Sequence, residues 1–236
     1  MAVSFKPAVM STLLLAMALS AGAASANALN ENFDGGVPSG WTVVNNSNPR
    51  GDVNWFQGDT KVFSAQQGAP ASYIGASWAN GKDVSAISNW LILPTSTYQN
   101  GDTLSFYTRT AENSIFPDRL EVRFSNVGGT NVGGTADSVG SFSSLLLSVN
   151  PGQDASVYPE AWTKYSVTLN GLSGATSGAF AFHYSLDDGG PNGTSSNFIG
   201  IDTVSISAVP EPTTYLMLGA GLGLLGLARK RRAKAA

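Results

Sequence analysis

Between residues 41 and 207 the chain repeats one pattern: short segments in which apolar and polar residues alternate, set between clusters of Gly, Asn, Ser and Asp. A period of two is that of a strand with one face buried, and the 3.6-residue period of an amphipathic helix is absent from this region. The pattern predicts strands at Trp41–Asn45, Lys61–Ala65, Ser72–Ala76, Asn89–Leu93, Thr103–Arg109 and Arg119–Ser125. Four more follow at Leu145–Val149, Trp162–Leu169, Gly178–Ser185 and Asn197–Ser207. This many short strands in one unit predict an all-β fold of two packed sheets.

The clearest alternations identify the buried faces. Leu104 and Phe106, then Leu120, Val122 and Phe124, then Phe180, Phe182 and Tyr184, each form an apolar row, and with Trp90 most of them are assigned to one core. His183 then falls on the other face with Ala179 and Ala181, where it is expected to meet solvent. Residues 126–144 are Gly, Ser, Thr and Asn with a repeated Val-Gly-Gly-Thr, a composition that predicts a long mobile loop.

Both ends read as addresses. Lys6 precedes an apolar run from Ala8 to Leu19, and Ala26 and Ala28 suit a cleavage site, so residues 1–28 are expected to be a signal peptide removed after Ala28, with cleavage after Ala26 as the alternative. At the other end, Pro210, Glu211 and Pro212 fix the backbone and remove two donors, which ends strand pairing. Thr213–Ala228 then carries no charge and, as a helix, would span roughly 24 Å at 1.5 Å per residue, slightly less than the hydrocarbon layer. Arg229, Lys230, Arg231 and Arg232 follow, with Lys234, a basic stop retained on the cytoplasmic side that places the body across the membrane. Tripeptide, short Gly/Leu span and basic cluster in this order resemble the PEP-CTERM sorting signal of Gram-negative bacteria. That resemblance implies export and processing by an exosortase, with residues 209–236 as the signal.

The net charge of −3 for the whole chain conceals a more acidic body. Residues 29–208 hold seven Lys/Arg against fifteen Asp/Glu, a balance of −8, which argues against nucleic acid and anionic lipid as partners. There is no cysteine, so packing alone, or packing with a metal, must hold an exported fold. One histidine excludes most zinc sites and any catalysis by two imidazoles.

Several phrases of the body are similar to the choice-of-anchor J domain, a jelly-roll-like family related to the cleaved adhesin and MAM domains. They are Glu31–Asp34 leading to Trp41; Trp55, Phe56 and Gly58; Ser72–Ile74; Asn89–Pro94; Asp118–Phe124; Trp162 with Lys164; and Ile201, Asp202 and Val204. The resemblance covers nearly all of residues 29–208 and implies a surface-located β-sandwich, while naming no substrate.

Candidate chemistry is sparse. Trp55, Phe56 and Trp78 are a candidate aromatic platform for polysaccharide, set against ordinary core packing. Arg50-Gly51-Asp52 is read as a chance tripeptide, and Asp187-Asp188 before two glycines and a proline as a hairpin tip. No Gly-x-Ser-x-Gly elbow is present, and no local motif fixes two carboxylates across a cleft. A non-enzymatic protein of the surface or exopolysaccharide matrix, in adhesion or glycan contact, is therefore expected; the alternative is a secreted carbohydrate-active enzyme on the same sandwich.

One metal reading remains. Unbroken alternation would put Glu31 with Leu29 and Phe33, and Asp202 with Val204 and Ile206, so that both carboxylates face the apolar side and must be bonded, protonated or on a cation. If the first and last strands are neighbours, as in many jelly rolls, a structural calcium between Glu31 and Asp202 satisfies both, and the resemblance to cleaved adhesin domains supports it. The other reading gives Glu31 backbone hydrogen bonds and Asp202 a turn to cap.

Overall fold

The computed structural model describes residues 28–209 and Gly219. Residues 1–27 of the expected signal peptide, the Pro210–Pro212 tripeptide, the expected span Thr213–Ala228 apart from Gly219, and the basic cluster Arg229–Arg232 lie outside the described residues. Among the described residues no helix is long and apolar enough to cross a membrane.

Thirteen strands form two antiparallel sheets. The first, sheet A, runs β11 (Thr163–Thr168), β8 (Thr103–Thr110), β13 (Phe198–Ser207), β5 (Ile74–Ser77) and β4 (Phe56–Gln57), with β1 (Leu29–Glu31) paired to the far end of β13. Sheet B runs β10 (Ser144–Val149), β9 (Leu120–Ser125), β12 (Thr176–Gly189), β6 (Gly81–Ile92) and β2 (Thr42–Asn45). Two short strands complete it, β3 (Asn48–Arg50) on β6 and β7 (Ser96–Tyr98) on β12.

The inward faces meet as the alternation requires. Leu104, Phe106, Leu120, Val122, Phe180 and Phe182 are all fully buried, and the Phe106 ring meets Phe182 edge-on at 4.9 Å between centroids. Edge-to-face contact of this kind adds to the burial of the rings themselves.

The sandwich is thicker than two sheets, because a loop covers part of each outer face. On sheet B, residues 131–142 fold back so that Val132 and Phe142 bury Trp90, Ile92, Ala179 and Ala181. This corrects two expectations: residues 126–144 pack onto the sheet, and Trp90 belongs to this outer cluster while its neighbour Leu91 enters the main core. On sheet A, the predicted strand Lys61–Ala65 is instead part of a loop that lays Phe63 against Tyr73, Phe198 and Trp162. Gly200 forms the floor beneath that cluster, since a Cβ there would stand 2.8 Å from Phe63 and 2.9 Å from Trp162.

A bulge in β13 connects inner and outer packing. Its register against β8 shifts between Asp202 and Ser205, and Thr203 adopts φ +50. An extra residue reverses the alternation. Ile199 and Ile201 point into the core before the bulge, and Val204 and Ile206 after it.

Candidate functional site

The loops at the two ends of the sandwich differ in charge. Where β13 begins, the connecting loops and adjoining strand ends expose Asp52, Asp83, Glu112, Asp154, Glu160, Asp187 and Asp188 against Arg50 and Lys82. Where β13 ends, residues 37–41, 93–102, 126–130, 169–175 and 208–209 contain a single charged residue, Asp102, which is fully buried. The two poles are separated by the length of β13, roughly 30 Å at about 3.3 Å per residue.

At the acidic pole a cleft of about 230 Å³ is lined by Trp78, Phe116, Gly190, Pro191, Gly193, Ser196 and Asn197. Trp78 is 45% exposed, and its backbone is held by hydrogen bonds. It opens a single 3-10 turn, Trp78–Asn80, and its N–H donates to the Asn197 carbonyl at 2.9 Å. Ser77 caps this turn, while the buried Asn80 accepts from Ser77 N at 3.0 Å and donates to the carbonyls of Val53 and Asn54 at 2.9 and 3.1 Å. The facing wall is braced too: Gly190 N donates to Ser196 Oγ at 3.0 Å, and the Asn197 amide donates to Ser114 Oγ at 3.0 Å. An exposed indole on a fixed backbone, with hydroxyl and amide groups beside it, has the chemistry to stack a sugar ring and bond its hydroxyls.

The outer face of sheet B carries a second arrangement. Ser88 Oγ lies 2.9 Å from His183 Nε2, and His183 Nδ1 lies 3.2 Å from Glu121 Oε2, which also accepts from Arg123 Nε at 2.7 Å. The order serine, imidazole, carboxylate is that of a nucleophilic triad. Its environment is not. Ser88 is fully buried in mid-strand, accepts from Trp90 Nε1 at 3.2 Å, and its own N–H is taken by Ser47 Oγ. The Trp90 ring stacks on the imidazole at 3.7 Å and 12°.

The expected solvent-facing histidine is thus corrected: its face is as read, but Trp90 and the folded-back loop bury it to 2% exposure. Burial pushes the imidazole down to about 4, so His183 is neutral at physiological pH. Burial alone would raise Glu121, but the hydrogen bonds from His183 and Arg123 outweigh it and hold the carboxylate down to about 2. A groove of about 190 Å³ remains beside them, with Arg119, Arg123, Asp137 and Asp187 in its walls.

A third polar centre ties the sheets together. Fully buried Asp118 accepts from Tyr184 Oη at 2.6 Å, Asn197 N at 3.0 Å and Thr110 Oγ1 at 3.2 Å. Burial pushes its carboxyl up to about 6 despite these donors.

The residues of the metal reading are split by the bulge. β1 does lie beside β13, and Glu31 pairs with Val204 on the core-facing side, where its Oε1 accepts from Phe33 N at 2.7 Å. Asp202 precedes the phase change and is turned to the outer face. There it accepts from Gln66 N at 2.7 Å, Gln67 N at 3.1 Å and Thr203 N at 2.6 Å, and burial pushes it up to about 6. The expectation that both acids share one face is corrected, because that reading assumed unbroken alternation. Among the described residues no group of three or more acids and imidazoles is arranged to hold a metal.

The aromatic platform is split as well. Trp55 is 5% exposed in the main core with Nε1 donating to the Asn89 carbonyl, and Phe56 packs on Phe198, which leaves Trp78 as the exposed ring. Phe116, Pro191 and Asn197 carried no signal in the sequence, because two separate loops, 111–119 and 190–197, bring them to Trp78.

Comparison with protein families matches residues 208–232 to the PEP-CTERM protein-sorting motif, which marks a chain for export and exosortase processing. No curated protein matches the sequence. Among solved structures, the chain is similar to the K1 cleaved adhesin domain of Lys-gingipain from Porphyromonas gingivalis W83, with 19% identity over 78% of this chain and 99% of that one, at a TM-score of 0.56. It also matches the K3 cleaved adhesin domain of the same protein, with 18% identity over 75% and 95% and a TM-score of 0.48. A CBM22-1 xylan-binding domain from Paenibacillus barcinonensis gives 15% identity over 80% and 99%, at 0.42. The K1 likeness is one of fold, and it agrees with the jelly-roll-like sandwich expected from the sequence.

Proposed function

We propose that this is a non-enzymatic protein of the cell surface or extracellular matrix, which an exosortase processes and which contacts polysaccharide through the Trp78 cleft. The observation that carries the glycan reading is Trp78 itself. Leaving an indole 45% exposed forgoes on the order of a kcal/mol of burial, yet capping and hydrogen bonds fix the backbone that presents it. The acidic rim selects the ligand class, because exposed carboxylates repel a polyanion. An uncharged polysaccharide fits.

The buried hydroxyl of Ser88, with no open approach, supports the non-enzymatic reading over a carbohydrate-active enzyme on the same sandwich.

Two measurements test the proposal. In a glycan array, the body should retain neutral glycans, and Trp78→Ala should weaken that binding at least tenfold, about the 1.4 kcal/mol that one lost stacking contact represents. Equal binding by the variant would refute the cleft. Intact mass of native material should lack both residues 1–28 and the basic cluster Arg229–Lys234; retention of the cluster in most molecules would refute processing.

A further inference from the structure

We infer that the uncharged pole is a membrane-apposition face, seated against the lipid headgroups for as long as the tail is attached. The inference rests on the reading of Thr213–Ala228 as a membrane span.

The first observation is where and how the tail leaves the body. Val209, the last described residue before the Pro-Glu-Pro tripeptide, is clamped. Its N–H donates to Asp102 Oδ1 at 3.1 Å, and its carbonyl accepts from Gln99 Nε2 at 2.9 Å. Its side chain lies over Gly101, where an added Cβ would come within 2.6 Å of Val209 Cγ2. The chain is therefore fixed to the body as far as Val209.

Only Pro210, Glu211 and Pro212 stand between this clamp and Thr213. Four residue steps reach at most about 14 Å at roughly 3.5 Å each. The headgroup layer is itself about 5 to 7 Å thick, half the difference between the whole bilayer and its hydrocarbon core. Val209 thus lies no more than about 7 to 9 Å beyond the outer edge of the headgroup layer, so the pole from which the chain leaves faces that layer at close range.

The second observation is that this pole is built to be there. A body with a balance of −8 is repelled by anionic lipid, and fifteen carboxylates placed at random would put several on any face. Among the described residues of this pole the only one is Asp102, buried with its two oxygens occupied by Gln99 N and Val209 N. What the pole exposes is Gly, Ser, Thr and Asn, with Val127 at 71% and Val209 at 42% exposure. Its loops are tied to one another, by Gly129 N to Thr95 Oγ1 at 2.8 Å and by Asn100 to Leu172 at 2.7 and 2.8 Å, so the face is a preformed surface. The occupant it fits is a headgroup layer met without charge and with a few shallow apolar contacts. It also directs the Trp78 cleft, at the opposite pole, away from the bilayer.

The absence of cysteine makes the test direct. Full-length chain is reconstituted into phosphatidylcholine vesicles as three single-cysteine variants, Asn170→Cys at the uncharged pole, Asn192→Cys at the acidic pole and Gly219→Cys in the tail, each carrying a nitrobenzoxadiazole label. Spin-labelled headgroups should quench the label at 170 several-fold more than at 192, and acyl-chain spin labels should quench it at 219. Equal quenching at 170 and 192, or none at either while 219 is quenched, would overturn the apposition face and leave the span intact. Absence of quenching at 219 would overturn the span reading, and this inference with it.

Discussion

Phe106→Ala will destabilise the body by about 3 to 5 kcal/mol, the upper range for truncating a single buried side chain. The ring is fully buried, contacts Phe182 edge-on at 4.9 Å, and lies parallel to Tyr165 of the neighbouring edge strand at 5.8 Å. Removing it takes away the transfer energy of a phenyl group and leaves a cavity between two sheets, whose paired backbones cannot move together to fill it. Equilibrium urea unfolding should show a lower midpoint with an unchanged slope. A loss below about 1 kcal/mol would place Phe106 outside the core. With no disulfide to hold the chain, the loss is a large fraction of the whole stability.

The second large effect is on pH dependence. His183 has a folded value of about 4 against an ordinary 6.5, so below pH 6.5 the unfolded chain binds a proton that the folded protein refuses. Its contribution is complete above pH 6.5 and is lost as pH falls towards 4. The gap between the two values corresponds to roughly 3 kcal/mol. Glu121, held down to about 2, adds a term of the same sign, present above its ordinary value of 4.5 and lost as pH falls through 2. Asp118 and Asp202 oppose both: pushed up to about 6, they stabilise most below 3.8, and that contribution is lost as pH rises through 6. The net profile of the native protein is therefore shallow. His183→Gln isolates the histidine: its stability relative to the native protein should improve by roughly 3 kcal/mol between pH 7 and pH 4. Parallel profiles for the two proteins would show that the imidazole takes up its proton in the folded state.

Much of the fold was legible because strand periodicity reports burial directly. The rows Leu104/Phe106, Leu120/Val122/Phe124 and Phe180/Phe182 lie in the inter-sheet core as read. Reasoning from alternation failed wherever burial had a second source. His183 lies on the sheet face that alternation gives it, and Trp90 shares that outer face, but no period announces that Val132 and Phe142 return from a Gly-rich loop to cover both. A buried tryptophan is thus no proof of an inward one. β13 misled for a related reason: one extra residue at Thr203 inverts the face of Asp202, and a bulge without glycine leaves no mark in composition. The cleft was least legible, since Trp78, Phe116, Pro191 and Asn197 meet only in three dimensions. The address was the most legible part, because its three devices act through order along the chain and need no fold to be recognised.

The position of β13 sets the order of events during export. It is the final strand to emerge, yet it lies inside sheet A, with β8 on one side and β5 and β1 on the other. Until residues up to Ser207 have been translocated, β8 and β5 have no common neighbour and half the sandwich cannot close. Its pairing with β1 also joins the two ends of the body, Leu29 opposite Ile206, a contact with nearly the longest sequence separation the domain offers and hence a slow one to form. Sheet A is therefore complete only when the chain up to Ser207 is available to lie between β8 and β5.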